Sequence, residues 1–181
     1  EPAGVAGARD DAGRASRVRA QAQHFLDVTR DSGATLPPVL DFELARGPAL
    51  HNLDAAARWV DVVADAMGRE PMLYTGPAFF RDLCRMAGLA AAPALARLRR
   101  CPAWLAHYGP SLSTGPSVPE PWASGPGWAM WQASGDAPRA GQRPRPWAHL
   151  PGRPAVAVDV DYFRGGVEAL QALGRAPLGV G

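Results

Sequence analysis

Two carboxylates stand two residues apart in the stretch Leu36-Pro37-Pro38-Val39-Leu40-Asp41-Phe42-Glu43. The prolines keep the backbone extended and out of helix. Val39 and Leu40 then read as a short buried strand that ends on the two acids. Side chains alternate faces along a strand, so Asp41 and Glu43 point the same way, about 7 Å apart. Like charges this close split their titration: one acid stays ionised while the other is held protonated towards neutral pH. One short peptide thereby offers both an acid and a base. A strand end running into a solvated acidic turn would look the same over these few residues, so the weight rests on what the rest of the chain brings to the pair.

The elements that must position the pair follow from periodicity. Apolar positions at Val18, Ala22, Phe25 and Thr29 predict a helix over residues 16–31, stopped at Gly33. Residues 1–15 show no such period and read as a loop or frayed terminus. Asn52 is the expected N-cap of a second helix reaching Met67, with Ala56, Val60 and Val63 on its buried stripe and Gly68 as its stop. A third helix spans 78–87. Strands are expected at 36–43, 71–75, 101–108, 128–132 and 155–159, and a short helix at about 165–173. Strands alternating with helices predict an α/β fold with a parallel sheet, and apolar strands with polar ends predict a barrel whose site lies at the strand C-termini. One domain of residues 16–175 with a 176–181 tail is expected. The Arg/Pro/Gly-rich stretch 134–154 reads as a long surface loop.

At 181 residues and 47% hydrophobic, the chain is large and apolar enough for a real core. All 19 basic residues are Arg, yet the formal charge is only +2, which suits an anionic polymer such as a cell wall and is too weak to argue for nucleic acid. No apolar run approaches membrane-span length, and no signal peptide opens the sequence. The four His are scattered without ligand spacing, so no metal is expected, and with phosphate-cradling Gly-rich loops also missing, no cofactor is expected. Cys84 and Cys101 are compatible with one disulfide or with two separate buried thiols.

Each expected strand end carries groups that a carboxylate pair could use: Tyr74 and Thr75, then His107 and Tyr108, then Gln132, then Asp159. Aromatic faces beside carboxylates suit sugars, whose C–H faces stack on rings while their hydroxyls bond to acids and amides. Taken singly, each of Tyr74, Trp104, Trp128 and Trp131 is better explained as ordinary barrel packing.

Five segments in this order resemble the glycoside hydrolase family 25 lysozymes, the Chalaropsis-type muramidases: Leu40-Asp41-Phe42-Glu43, Met72-Leu73-Tyr74-Thr75, Pro102-Ala103-Trp104-Leu105-Ala106-His107-Tyr108, Trp128-Ala129-Met130-Trp131-Gln132 and Val158-Asp159-Val160-Asp161-Tyr162-Phe163. The preceding helix with Gln21-Ala22-Gln23-His24-Phe25-Leu26 fits as well, so the resemblance runs over about residues 16–166. It implies a TIM-like (β/α)5(β)3 barrel and hydrolysis of the β-1,4 bond between N-acetylmuramic acid and N-acetylglucosamine. Glu43 would be the proton donor and Asp41 its acidic partner. Asp159, Tyr74, Tyr108, Gln132, Trp104 and Trp131 would contact the substrate, the glycan strands of peptidoglycan, and an extracellular, periplasmic or cell-wall-directed location is expected. The resemblance leaves both a covalent route and attack by the substrate's own N-acetyl group open. The family's opening Gly-x-Asp-x-Ser segment has no counterpart before Ser16, so the barrel is expected to lack about its first three strands, with self-association or a supplied N-terminal segment to compensate. A non-catalytic glycan-binding remnant and a chitin-directed barrel glycosidase are the rival expectations.

Overall fold

The computed structural model describes residues 3–135, 149–150, 153–157 and 159–175 of the chain. The first helix, α1, runs Ala3–Thr29, so the loop expected over residues 1–15 is corrected: helix begins at Ala3. Ala and Arg are strong helix formers, and they sustain a helix where no apolar stripe announces one. Further along, Val18 and Ala22 are buried, and the Phe25 ring meets Trp59 edge-on with centroids 5.2 Å apart. Trp59 belongs to α2, Ala49–Met67, whose buried stripe includes Leu53, Val60 and Val63. Gly68 ends it at φ 65°, and its N–H reaches the Ala64 carbonyl at 2.9 Å. Asn52 lies inside this helix and does not cap it; Pro48 holds the cap position. The Asn52 amide instead ties down the entering loop, donating to the carbonyls of Arg46 and Pro48 at 3.1 and 2.8 Å.

Strand β1 (Val39–Asp41) pairs parallel with β2 (Met72–Thr75), and β2 pairs parallel with β3 (Ala103–Ala106). The crossover from β2 to β3 is α3 (Pro77–Ala87), a 3-10 turn (Gly88–Ala91) and α4 (Ala92–Leu98), the last of these not foreseen from periodicity. Strand β3 pairs parallel with β4 (Trp128–Ser134). The 155–159 run does not supply the fifth strand of this sheet, as had been expected. Strand β6 (Arg153–Ala157) joins β5 (His149–Leu150) in a separate two-stranded sheet, which also replaces part of the 134–154 loop; residues 136–148 and 151–152 of that loop lie outside the described residues, as does the 176–181 tail. The fifth strand of the main sheet is β7 (Val160–Phe163), antiparallel to β4, and α5 (Val167–Arg175) follows it.

The main sheet therefore runs β1-β2-β3-β4-β7. Among the described residues β1 and β7 each pair on one side only, so these five strands form an open sheet and not a closed barrel. One face, with Leu73, Ala103 and Leu105, packs on the helices in a core that includes Leu53, Val60, Phe80, Leu98 and Trp122. The other face carries Asp41, Tyr74, Trp104, Gln132 and Asp161, aligned by the strand registers Asp41↔Tyr74, Tyr74↔Trp104 and Gln132↔Asp161. Cys84 and Cys101 are separate free thiols. Burial pushes them up to about 11 and about 12 respectively, well above reactive range.

Candidate active site

Strand β1 ends at Asp41, but its pairing persists for one more residue: the Phe42 N–H donates to the Tyr74 carbonyl at 2.8 Å. The fully buried Thr75 hydroxyl donates to the Phe42 carbonyl at 2.7 Å. Phe42 itself is buried against Phe79 and Phe80. With Phe42 pinned inward, Asp41 and Glu43 stand exposed on either side of it at the C-terminal end of the parallel strands. Partial burial and the neighbouring Asp41 charge raise the Glu43 carboxyl above the usual carboxylate range.

Facing this pair is a hydrogen-bonded chain centred on Gln132. Its Oε1 accepts from the Tyr74 and Tyr108 hydroxyls at 2.6 and 2.7 Å, and its Nε2 donates to Asp159 Oδ2 at 2.8 Å. The amide orientation follows from its partners, since only the oxygen can accept from two hydroxyls and only the nitrogen can donate to a carboxylate. Burial holds both tyrosines protonated, with the hydroxyl pair and the nearby carboxylates adding to the effect on Tyr74, so they act as donors. Tyr74 also meets the Trp104 ring edge-on at 5.2 Å.

Of the residues expected to contact substrate, Tyr74, Tyr108, Gln132, Trp104 and Asp159 gather on this one mouth. Trp131 does not: it is 2% exposed, its indole N–H donates to the His107 carbonyl at 2.8 Å, and its ring packs on Tyr162. Neighbouring residues on β4 face opposite sides of the sheet, so placing Gln132 in the mouth puts Trp131 behind it, and its expected substrate contact is corrected to packing. Asp161 was not singled out, yet its carboxylate accepts from the Trp104 indole at 2.7 Å, and burial together with the Asp159 charge raises it. The signal was present in the sequence: Asp159 and Asp161 repeat the two-residue alternation of Asp41 and Glu43.

A cavity of about 340 Å³ opens beside Glu43 and extends away from the acidic groups, lined by Phe79, Arg81, His107, Tyr108 and Ser117. The strand ends thus bring carboxylates, an amide and aromatic side chains to one mouth.

The profile of Glycosyl hydrolases family 25 matches residues 11–141, and the chain belongs to that family. Its fold is similar to the muramidase from Acremonium alcalophilum (20% identity, TM-score 0.57, covering 87% of this chain and 66% of that one). It is likewise similar to the family GH25 lysozyme from Aspergillus fumigatus (21% identity, TM-score 0.57, 87% and 66%). The Clostridium perfringens spore cortex lytic enzyme SleM gives 23% identity and a TM-score of 0.58, with 86% of this chain and 47% of that one covered. The chain thus spans from about half to two thirds of the length of these structures. Among curated protein sequences there is no match.

Proposed function

We propose that this chain acts as a peptidoglycan hydrolase of the lysozyme type, cleaving the β-1,4 bond between N-acetylmuramic acid and N-acetylglucosamine. The observation that carries the reading is the Asp41–Glu43 pair at the strand ends, with Glu43 held towards its protonated form beside a carboxylate. Glu43 donates a proton to the departing glycosidic oxygen, and Asp41 steadies positive charge near the anomeric carbon or orients the substrate's N-acetyl group. Gln132 fixes the Tyr74 and Tyr108 hydroxyls and Asp159 as a rigid polar wall for sugar hydroxyls, and Trp104 offers a ring face. Clearing of a suspension of purified cell walls, with mass analysis of the released fragments, tests the reading. Glu43→Gln keeps the shape of the side chain without the proton, and is expected to lower the rate by about 10²–10⁴-fold while leaving the circular dichroism spectrum unchanged. Wild-type rates in that variant would remove Glu43 from its role.

One observation favours a second reading, a glycan-binding protein without hydrolysis: among the described residues the main sheet has five strands and is open at β1, the strand that bears Asp41. Retention on cell walls with no release of reducing ends would favour it.

A further inference from the structure

The cavity beside Glu43 differs in charge from the rest of the mouth. Asp41, Asp159 and Asp161 do not line it. Tyr108 stands at the boundary, its hydroxyl bonded to Gln132 on the acidic side while its side chain lines the cavity on the other. Beyond Tyr108 lie Arg81, on the second turn of α3, and His107, just past β3. Arg81 makes no ion pair among the described residues; partial burial, and after it the Arg81 charge, lowers the proton affinity of His107. The imidazole is therefore neutral at neutral pH. Its Nδ1 accepts the Ser117 backbone N–H at 2.9 Å, which places its one proton on Nε2 as a donor.

We propose that this cavity is a subsite for an anionic, carboxylate-bearing substituent of the glycan, held by the Arg81 guanidinium and the His107 Nε2–H. An unpaired guanidinium with a fixed neutral donor beside it suits a carboxylate, which accepts from both. The one acid that lines the cavity, Glu43, does not oppose the binding while it is protonated, the form in which a proton donor works. A bound anion would favour that form further. A neutral chitin-like chain has no group for such a pocket, whereas the lactyl ether of muramic acid, or a peptide built on it, carries carboxylates. The subsite rests on the glycan reading above and assigns to Arg81 the discrimination between the two polymers.

The test compares two soluble probes on the Glu43→Gln protein, which holds substrate without cleaving it. One is an oligosaccharide of alternating N-acetylglucosamine and N-acetylmuramic acid with free lactyl carboxylates; the other is the same oligosaccharide with those carboxylates reduced to alcohols. Calorimetry at low ionic strength is expected to show the carboxylate form binding roughly five- to ten-fold more tightly, as a partly exposed charge pair with a second donor allows. The preference should disappear when Arg81→Gln is added and shrink in high salt. Arg81 projects from an exposed helix face, and its variant can be checked for folding by circular dichroism. Equal, measurable affinity for both probes overturns the subsite alone, as does a preference that survives Arg81→Gln. Binding of neither probe overturns the glycan reading and the subsite with it.

Discussion

Glu43 owes its raised proton affinity first to partial burial and second to Asp41, and the two can be separated by pH. A proton donor works only while protonated, so wall hydrolysis is expected to fall as pH rises through the Glu43 pKa. Asp41→Asn removes the neighbouring charge and leaves the burial, which lowers that pKa without returning it to the solution value. The falling limb of the residual activity should therefore move to lower pH, and an unmoved limb would mean that Asp41 does not act on Glu43 electrostatically. Gln132 is the other decisive residue, 6% exposed and bonded to three side chains. Gln132→Leu keeps much of the volume but strips partners from Tyr74, Tyr108 and Asp159. Leaving polar groups unsatisfied costs about 1–3 kcal/mol, so urea unfolding should show a loss in that range together with weaker glycan binding. A stability equal to wild type would show that water replaces the amide.

At the scale of elements, what the sequence revealed and what it hid have distinct causes. The stripes of α2 and α3 and the apolar cores of β1 to β4 are local patterns with glycine stops, and each was legible with its ends off by a few residues. The positions of Asp41, Glu43, Tyr74, Tyr108 and Gln132 on one mouth follow from strands β1 to β4 that the sequence shows locally, whereas Asp159 reaches it from the residue before β7 and not from the end of the strand expected over 155–159. The choice between the consecutive apolar runs 153–157 and 160–163 was not, because partner selection is a long-range property that alternation does not encode. Arg81 was equally hidden: nothing in a helix's own spacing tells which residue a neighbouring strand end will meet. The seating of α5 also belongs to this scale. Arg69 donates to the Thr35, Leu36 and Gly174 carbonyls at 2.8, 2.8 and 2.9 Å, joining the α2–β2 connection, the approach to β1 and the last turn of α5. A Cβ on Gly174 would lie 2.8 Å from the Thr35 carbonyl oxygen, and backbone cannot yield as a side-chain tip can. Gly174→Ala is therefore expected to push α5 away at a cost of about 1–3 kcal/mol, seen as a lower Tm and faster amide exchange over residues 167–175. Unchanged exchange would show that the helix is seated elsewhere.

For the whole molecule the two outer strands set the behaviour of the 181-residue polypeptide. Among the described residues β1 and β7 are the outer strands of the main sheet, and outer strands are where pairing between chains can start. Both strands are short, and both carry an acid, Asp41 on β1 and Asp161 on β7; these are charges of the kind that keep edges apart. The acids temper association without closing the sheet. Sedimentation velocity over a dilution series is expected to show a weight-average mass that rises with concentration. Asp161→Val, which takes the charge from one edge, should strengthen the rise. Asp161 meets the Trp104 indole, so the variant also frees that N–H, and tryptophan emission provides an independent reading of whether the mouth is still formed. One species of monomer mass across the series, in wild type and variant alike, would mean that the open edges of this sheet are covered in solution.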